Sequence, residues 1–178
     1  MVIDLTELEE GETSWSKQAG AEELGLAFPD YSFAEPVDVQ LRISHGEKQY
    51  IIRGRLTTKA DTQCVKCLKI FRLPVEEEIG WVVQIVDDPK LLGREEASED
   101  YWFVEKGCVE LKITDPVRET VLVGLPRDPV CRENCCGLCA QCGADLNHGS
   151  CGCTTKEIDS RWGPLKELLE KKESSSGT

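Results

Sequence analysis

Ten cysteines in 178 residues, most of them in tight couples, constrain this chain more than any other feature of its sequence. They are Cys64, Cys67, Cys108, Cys131, Cys135, Cys136, Cys139, Cys142, Cys151 and Cys153. A disulfide framework spreads its half-cystines, because a bridge stabilises most by closing a long loop. Here Cys64-x-x-Cys67, Cys139-x-x-Cys142 and Cys151-x-Cys153 put both sulfurs of a couple on one side of a tight turn. That separation suits a tetrahedral Zn²⁺ with Zn–S near ~2.3 Å. The opening Met1-Val2-Ile3-Asp4-Leu5 has neither the basic flank nor the apolar core of a secretion signal, which favours metal over cystine.

Eight of these cysteines make two sites of four ligands. One partition joins Cys139, Cys142, Cys151 and Cys153 locally, and ties Cys64 and Cys67 to Cys131 and Cys135, leaving Cys108 and Cys136 over. Another joins Cys131, Cys135, Cys139 and Cys142, and leaves the Cys64/Cys67 couple to Cys151/Cys153 or without metal. Spacing leaves both open. His148, inside the loop between Cys142 and Cys151, reads as a surface residue rather than a replacement ligand. Four-thiolate sites keep no open position, so one or two zinc ions here would be structural and not catalytic. The same couples would also suit a redox switch, since oxidation to disulfide ejects the metal.

Around the cysteines the chain reads as an α+β protein. A β-rich domain with one packed helix carries a Cys-rich zinc-knuckle module and a short C-terminal helix. Residues 1–30 are acidic and interrupted by Gly11, Gly20 and Gly25, which predicts a loosely attached arm adding one short strand or helix. Residues 31–129 form the β-rich domain. Val37, Val39, Leu41 and Ile43 alternate with Asp38, Gln40, Arg42 and Ser44, the pattern of a half-buried strand. His45-Gly46-Glu47-Lys48 is a turn, and residues 50–58 return as the second strand of a hairpin. The Cys64/Cys67 knuckle, a short Ile70-Phe71-Arg72-Leu73 run and a strand over residues 79–86 follow.

Residues 87–100 read as an acidic solvated loop, and residues 101–105 with 108–112 as a last strand pair. Thr114-Asp115-Pro116 starts a helix whose apolar stripe is Val117, Val121, Leu122 and Leu125, ended by Pro126 and Pro129. Residues 130–170 are too poor in large apolar side chains to bury a core, so metal has to replace packing there. Trp162, Pro164, Leu165, Leu168 and Leu169 predict the short closing helix, and residues 171–178 a disordered tail.

Charge narrows the partners. The chain carries a formal −12, yet residues 40–72 hold eight basic residues against Glu47 and Asp61. Arg53 and Arg55 on the strand and Lys66 and Lys69 at the knuckle are the candidate RNA-contacting residues. An acidic body also suits a basic protein partner. No RNA-binding motif with interleaved aromatics is present. Two histidines leave little for general acid–base catalysis, and no carboxylate spacing marks a catalytic cleft, so the chain reads as a non-enzyme without a small-molecule substrate. No apolar run approaches the ~20 residues of a membrane helix.

Several of these residues also carry a resemblance. Cys64-Val65-Lys66-Cys67-Leu68 with Phe71 resembles the knuckle of the YceD-like family, the large ribosomal RNA subunit accumulation proteins. Leu125-Pro126-x-x-Pro129-x-Cys131-x3-Cys135-x-Gly137-Leu138-Cys139-x-x-Cys142-Gly143-Ala144-x-Leu146-Asn147 resembles its C-terminal signature. Cys151-x-Cys153 and Asp159-Ser160-Arg161-Trp162-x-Pro164-Leu165 also fit. Lys66 stands where the family usually has Arg, and Cys136 where a basic residue is common. The resemblance implies a non-enzymatic ribosome biogenesis factor required for 23S rRNA accumulation and large-subunit assembly. Its implied partners are the large-subunit precursor or 23S rRNA, and ribosomal protein L32. It implies the chloroplast stroma, or the bacterial cytoplasm, as the setting. A zinc-gated redox switch or holdase chaperone is the competing expectation from the cysteines.

Overall fold

In the computed structural model, residues 1–8, 11–87 and 101–153 are described here. The expected acidic loop after Asp87, the expected closing helix around Trp162 and the expected C-terminal tail fall outside these residues. The chain divides into two units, Met1–Gly137 and a second beginning at Leu138.

The first unit is built on strands β1 (Val2–Asp4), β2 (Gly11–Ala19), β3 (Tyr31–Ser32), β4 (Val37–His45), β5 (Gln49–Gln63), β6 (Ile70–Val86), β7 (Tyr101–Glu105) and β8 (Glu110–Lys112), with one helix, α1 (Thr114–Val123). The main sheet runs β2-β4-β5-β6-β7, with β3 also on β5; β1 and β8 form a separate antiparallel pair. Among the described residues the fold is thus β-rich with one packed helix. Among the described residues no helix is long and apolar enough to cross a membrane.

Alternation decides which way the sheet faces. On β4, Val37, Val39, Leu41 and Ile43 are buried. On β5 the inward positions are Tyr50, Ile52, Leu56, Thr58, Ala60 and Thr62, and on β6 they include Val75, Ile79, Trp81 and Val83. The expected return strand, residues 50–58, therefore continues to Gln63. Its second half hides its period because it turns small and hydroxylic residues inward. Thr62 Oγ1 donates to Asp30 O at 2.8 Å and Thr58 Oγ1 to Pro36 O at 3.4 Å, so the buried hydroxyls are satisfied.

The two expected pieces after the knuckle are one strand, β6, which passes through Pro74. A proline is tolerated where a strand edge needs no further donor. Among the described residues the neighbour on that side, β7, pairs only with Val82–Val86.

Three other expectations differ from the structure. Residues 1–30 supply two strands: β2 pairs with β4 over its whole length, and β1 pairs with β8. Ile3 and Leu24 are fully buried, which anchors this segment despite its acidic composition. The strand pair expected from residues 101–112 does not form. β7 instead joins β6 in parallel, with Val82 opposite Tyr101 and Gln84 opposite Phe103. A parallel pair needs a crossover far longer than a hairpin turn, and the chain between Val86 and Tyr101 has that length. In α1, Val117 and Val121 are buried against the sheet, but Leu122 is on the exposed side. Asp115 sits in the first turn, where the helix dipole favours a negative charge. Gly124 closes the helix against β6; a Cβ there would meet Glu77 Cγ at 2.7 Å and Val75 Cγ1 at 2.9 Å.

Candidate metal centres

The first cluster lies in the Met1–Gly137 unit. Cys64 directly follows β5, and Cys67 lies in the turn leading to β6. The turn is closed by two backbone bonds: Cys64 N donates to Lys69 O, and Leu68 N to Cys64 O, each at 2.9 Å. To complete it, Leu68 takes a left-handed φ of 58°. A side chain with a Cβ resists that conformation, so the knuckle holds local strain.

Cys131 and Cys135 arrive from the segment after α1, which is fastened to the knuckle by Val65 N donating to Pro129 O at 2.9 Å. A short turn, with Cys135 N donating to Arg132 O at 3.0 Å, points Cys135 inward. Gly137 then crosses Lys66 with φ 73°, so close that a Cβ would come within 2.9 Å of Lys66 O. Here glycine is required twice over, by conformation and by space.

The four sulfurs of Cys64, Cys67, Cys131 and Cys135 lie within 4.8 Å of one another. Cys64 Sγ is 3.8 Å from Cys135 Sγ, and Cys67 Sγ is 3.7 Å from Cys131 Sγ. A tetrahedron with metal–sulfur bonds of ~2.3 Å has edges of about 3.8 Å, which these two spacings match. Cys64, Cys67 and Cys135 are buried, and Cys131 is half-buried.

The thiols do not share one acidity. Burial opposes the Cys64 thiolate, but N–H groups of Cys131, Cys67 and Lys66 outweigh it and hold its pKa at about 6. Cys131 is pushed up to about 12 by burial and by the neighbouring Cys67, Cys135 and Cys64 sulfurs. Four clustered thiols cannot all ionise beside one another unless a cation joins them.

The second cluster lies in the unit beginning at Leu138. Cys139, Cys142, Cys151 and Cys153 also have sulfurs within 4.8 Å of one another. Cys139 and Cys151 are half-buried, while Cys142 and Cys153 are exposed. The Cys139-x-x-Cys142 turn repeats the geometry of the first knuckle. Cys139 N donates to Ala144 O at 2.8 Å, Gly143 N donates to Cys139 O at 2.9 Å, and Gly143 supplies the left-handed residue with φ 72°. Backbone N–H groups of Cys142 and Gln141 bring the Cys139 thiol down to about 6, whereas hydrogen bonds with Cys142 and Cys151 push Cys153 up to about 12. His148 is not in the cluster; its Nε2 lies 3.6 Å from Asp145 Oδ2.

The two groups could each hold a metal ion. Cys136, adjacent to Cys135, is exposed and outside both groups, as is the half-buried Cys108. Of the basic residues singled out in the sequence, Arg53 and Arg55 project from the outer face of β5, and Lys66 and Lys69 sit in the knuckle. Eight residues of strand, about 26 Å, separate Arg55 from the end of β5, so these four side chains do not form one patch.

A family model described as large ribosomal RNA subunit accumulation protein YceD matches residues 52–169. An uncharacterized protein of Mycobacterium leprae is 26% identical over 147 residues, which cover 82% of this chain and 65% of the relative. Similar proteins of Arabidopsis thaliana and Zea mays bear the name large ribosomal RNA subunit accumulation protein YCED homolog 1, chloroplastic. They are 25% and 27% identical, covering 83% and 89% of this chain and 53% and 64% of their own. The chain thus spans between about half and two thirds of the length of these relatives. No solved structure matches it significantly.

Proposed function

The chain belongs to the YceD family, and from that premise we propose that it is a non-enzymatic ribosome biogenesis factor, needed for 23S rRNA to accumulate during large-subunit assembly. The observation that carries this reading is the family match over residues 52–169, which takes in most of β5, all of β6 to β8, α1 and both cysteine clusters. The named plant relatives support it with their stated role in large ribosomal RNA accumulation.

In this reading Cys64, Cys67, Cys131 and Cys135 hold one Zn²⁺, and Cys139, Cys142, Cys151 and Cys153 a second. Neither ion keeps an open coordination position for substrate, so both act as structural ties. The assembling large subunit, through 23S rRNA, is the partner. Ribosomal protein L32, the protein partner that the family resemblance implies, is the one to test first, and a chain of net charge −12 is compatible with a basic partner. The setting is the chloroplast stroma, with the bacterial cytoplasm as the alternative.

Depleting the protein should lower the ratio of 23S to 16S rRNA; an unchanged ratio removes the proposal. Elemental analysis should find two zinc ions per chain, falling by one in Cys64→Ser and by one in Cys151→Ser. A single ion in all three proteins would contradict the ligand assignment.

The exposure of Cys142 and Cys153 favours a second reading, a zinc-gated thiol switch. Two thiolates would reduce one peroxide to water, taking up two protons, and leave a disulfide with the ion released. Zinc retained under peroxide rules this out.

A further inference from the structure

The outer face of the main sheet holds a combination that is invisible along the sequence. Strand pairing aligns Ser14 of β2, Arg42 of β4, Arg53 of β5 and Gly80 of β6 in one row across the sheet. The next row on one side aligns Ser16, Gln40, Arg55 and Glu78. On the other side, Glu12, Ser44, Ile51, Val82 and Tyr101 align, so an acid also ends that row at the β2 edge, and beyond them Gln84 meets Phe103. The parallel addition of β7 is what brings two aromatic rings beside the arginines.

Their orientation follows from the strand period. Trp102 and Val104 pack against the core, and Trp102 lies 5.1 Å from the buried Trp81, so Tyr101 and Phe103 face outward. Their rings meet edge to face at 5.3 Å, and the Tyr101 hydroxyl donates to Gln84 Oε1, which holds the pair in place.

Electrostatics point the same way. Arg42 and Arg53 are directly opposite each other, both exposed, with Ser14 and Gly80 completing their row. Like charges placed directly opposite destabilise a sheet. Among the described residues neither has an ion pair. Arg55 is 3.7 Å from Glu76, an exposed contact worth little, and Glu78 and Glu76 bound the basic row on that side. An anion above Arg42 and Arg53 would cancel their repulsion. From Arg53 to Tyr101 is two strand spacings across and one residue pair along, about 12 Å.

We infer that the outer sheet face binds single-stranded RNA, with phosphates on Arg42, Arg53 and Arg55 and unstacked bases on Tyr101 and Phe103. This deepens the ribosomal reading and rests on it for the identity of the RNA. Aromatic faces accept any base, whereas a duplex hides its bases from them, so the surface distinguishes unpaired from paired RNA.

The test measures binding of a labelled 15-nucleotide single-stranded RNA of mixed sequence, and of its duplex, to the zinc-loaded 178-residue chain across a salt series. The single strand should bind more tightly than the duplex. Tyr101→Ala and Phe103→Leu should each weaken it about tenfold without changing the salt dependence. Arg42→Gln and Arg53→Gln should each flatten the slope of log affinity against log salt by about 0.7, and Arg53→Lys should keep it. Phe103→Leu and Arg53→Lys preserve bulk or charge, so a loss from misfolding is separable by their melting temperatures.

Equal affinity for duplex and single strand, or wild-type affinity in the folded variants, overturns the inference. If the variants bind normally while depletion still lowers 23S rRNA, the ribosomal role stands and this surface falls. If RNA binding follows the variants while 23S rRNA ignores depletion, the surface stands and the role falls.

Discussion

At Gly54 the neighbouring strand β4 comes so close that a Cβ would lie 2.0 Å from Gln40 O and 2.9 Å from Leu41 Cα. Backbone atoms cannot rotate away as a side chain can, so Gly54→Ala should cost about 3 kcal/mol. A lower urea midpoint with an unchanged slope would show it; an unaltered midpoint would mean the strands part freely. The sequence does not mark this residue, because a glycine between Ile52 and Leu56 reads only as a gap in the inward stripe. The cysteine couples, by contrast, were plain from their spacing, since two residues between sulfurs can describe only a tight turn. Spacing left open which couples meet and which stay apart. Those depend on the path of the chain after α1, fixed by Val65 N on Pro129 O, a contact between segments far apart in sequence.

Among the elements, the clearest strands were legible because their inward residues are large and apolar. β4 shows this best. β5 beyond Thr58 was not, because Ala60 and Thr62 are buried there without looking hydrophobic. The partners of β7 and β8 were also hidden: local pattern shows that a strand exists, not which distant edge receives it. Nor could the chain's order show Tyr101 and Phe103 beside Arg53, since that juxtaposition belongs to the parallel register. Helix α1 was anticipated, but its stripe is narrower than expected. Val121→Ala should destabilise the protein by about 2 kcal/mol through the void left under the helix. Val123→Ala, at a residue 79% exposed, should stay within about 0.5 kcal/mol. Thermal or urea unfolding of the two variants checks the contrast, and equal effects would contradict the helix orientation.

Across the molecule, the two sulfur groups differ in what surrounds them. The first joins residues 71 and 64 positions apart, Cys64 to Cys135 and Cys67 to Cys131. If a tie across loops of that size acts as a disulfide does, it contributes about 4 kcal/mol. The strands around it bury a core of their own. The described residues from Leu138 to Cys153 hold no helix or strand, only the bridge between Leu138 and Asp145. Exhaustive chelation should therefore abolish amide-exchange protection in residues 138–153 while protection persists in β4, β5 and β6. Protection retained in residues 138–153 would mean that packing, not an ion, holds them.

The pairing of β1 with β8 brings Met1 and Thr114 into contact across 113 positions. During synthesis at about 5–20 residues per second, the opening strand waits on the order of ten seconds for its mate. Throughout that interval Ile3 is an uncovered apolar side chain on a nascent chain. The Met1 end therefore reaches its native place only after the intervening strands β2 to β7 have been made.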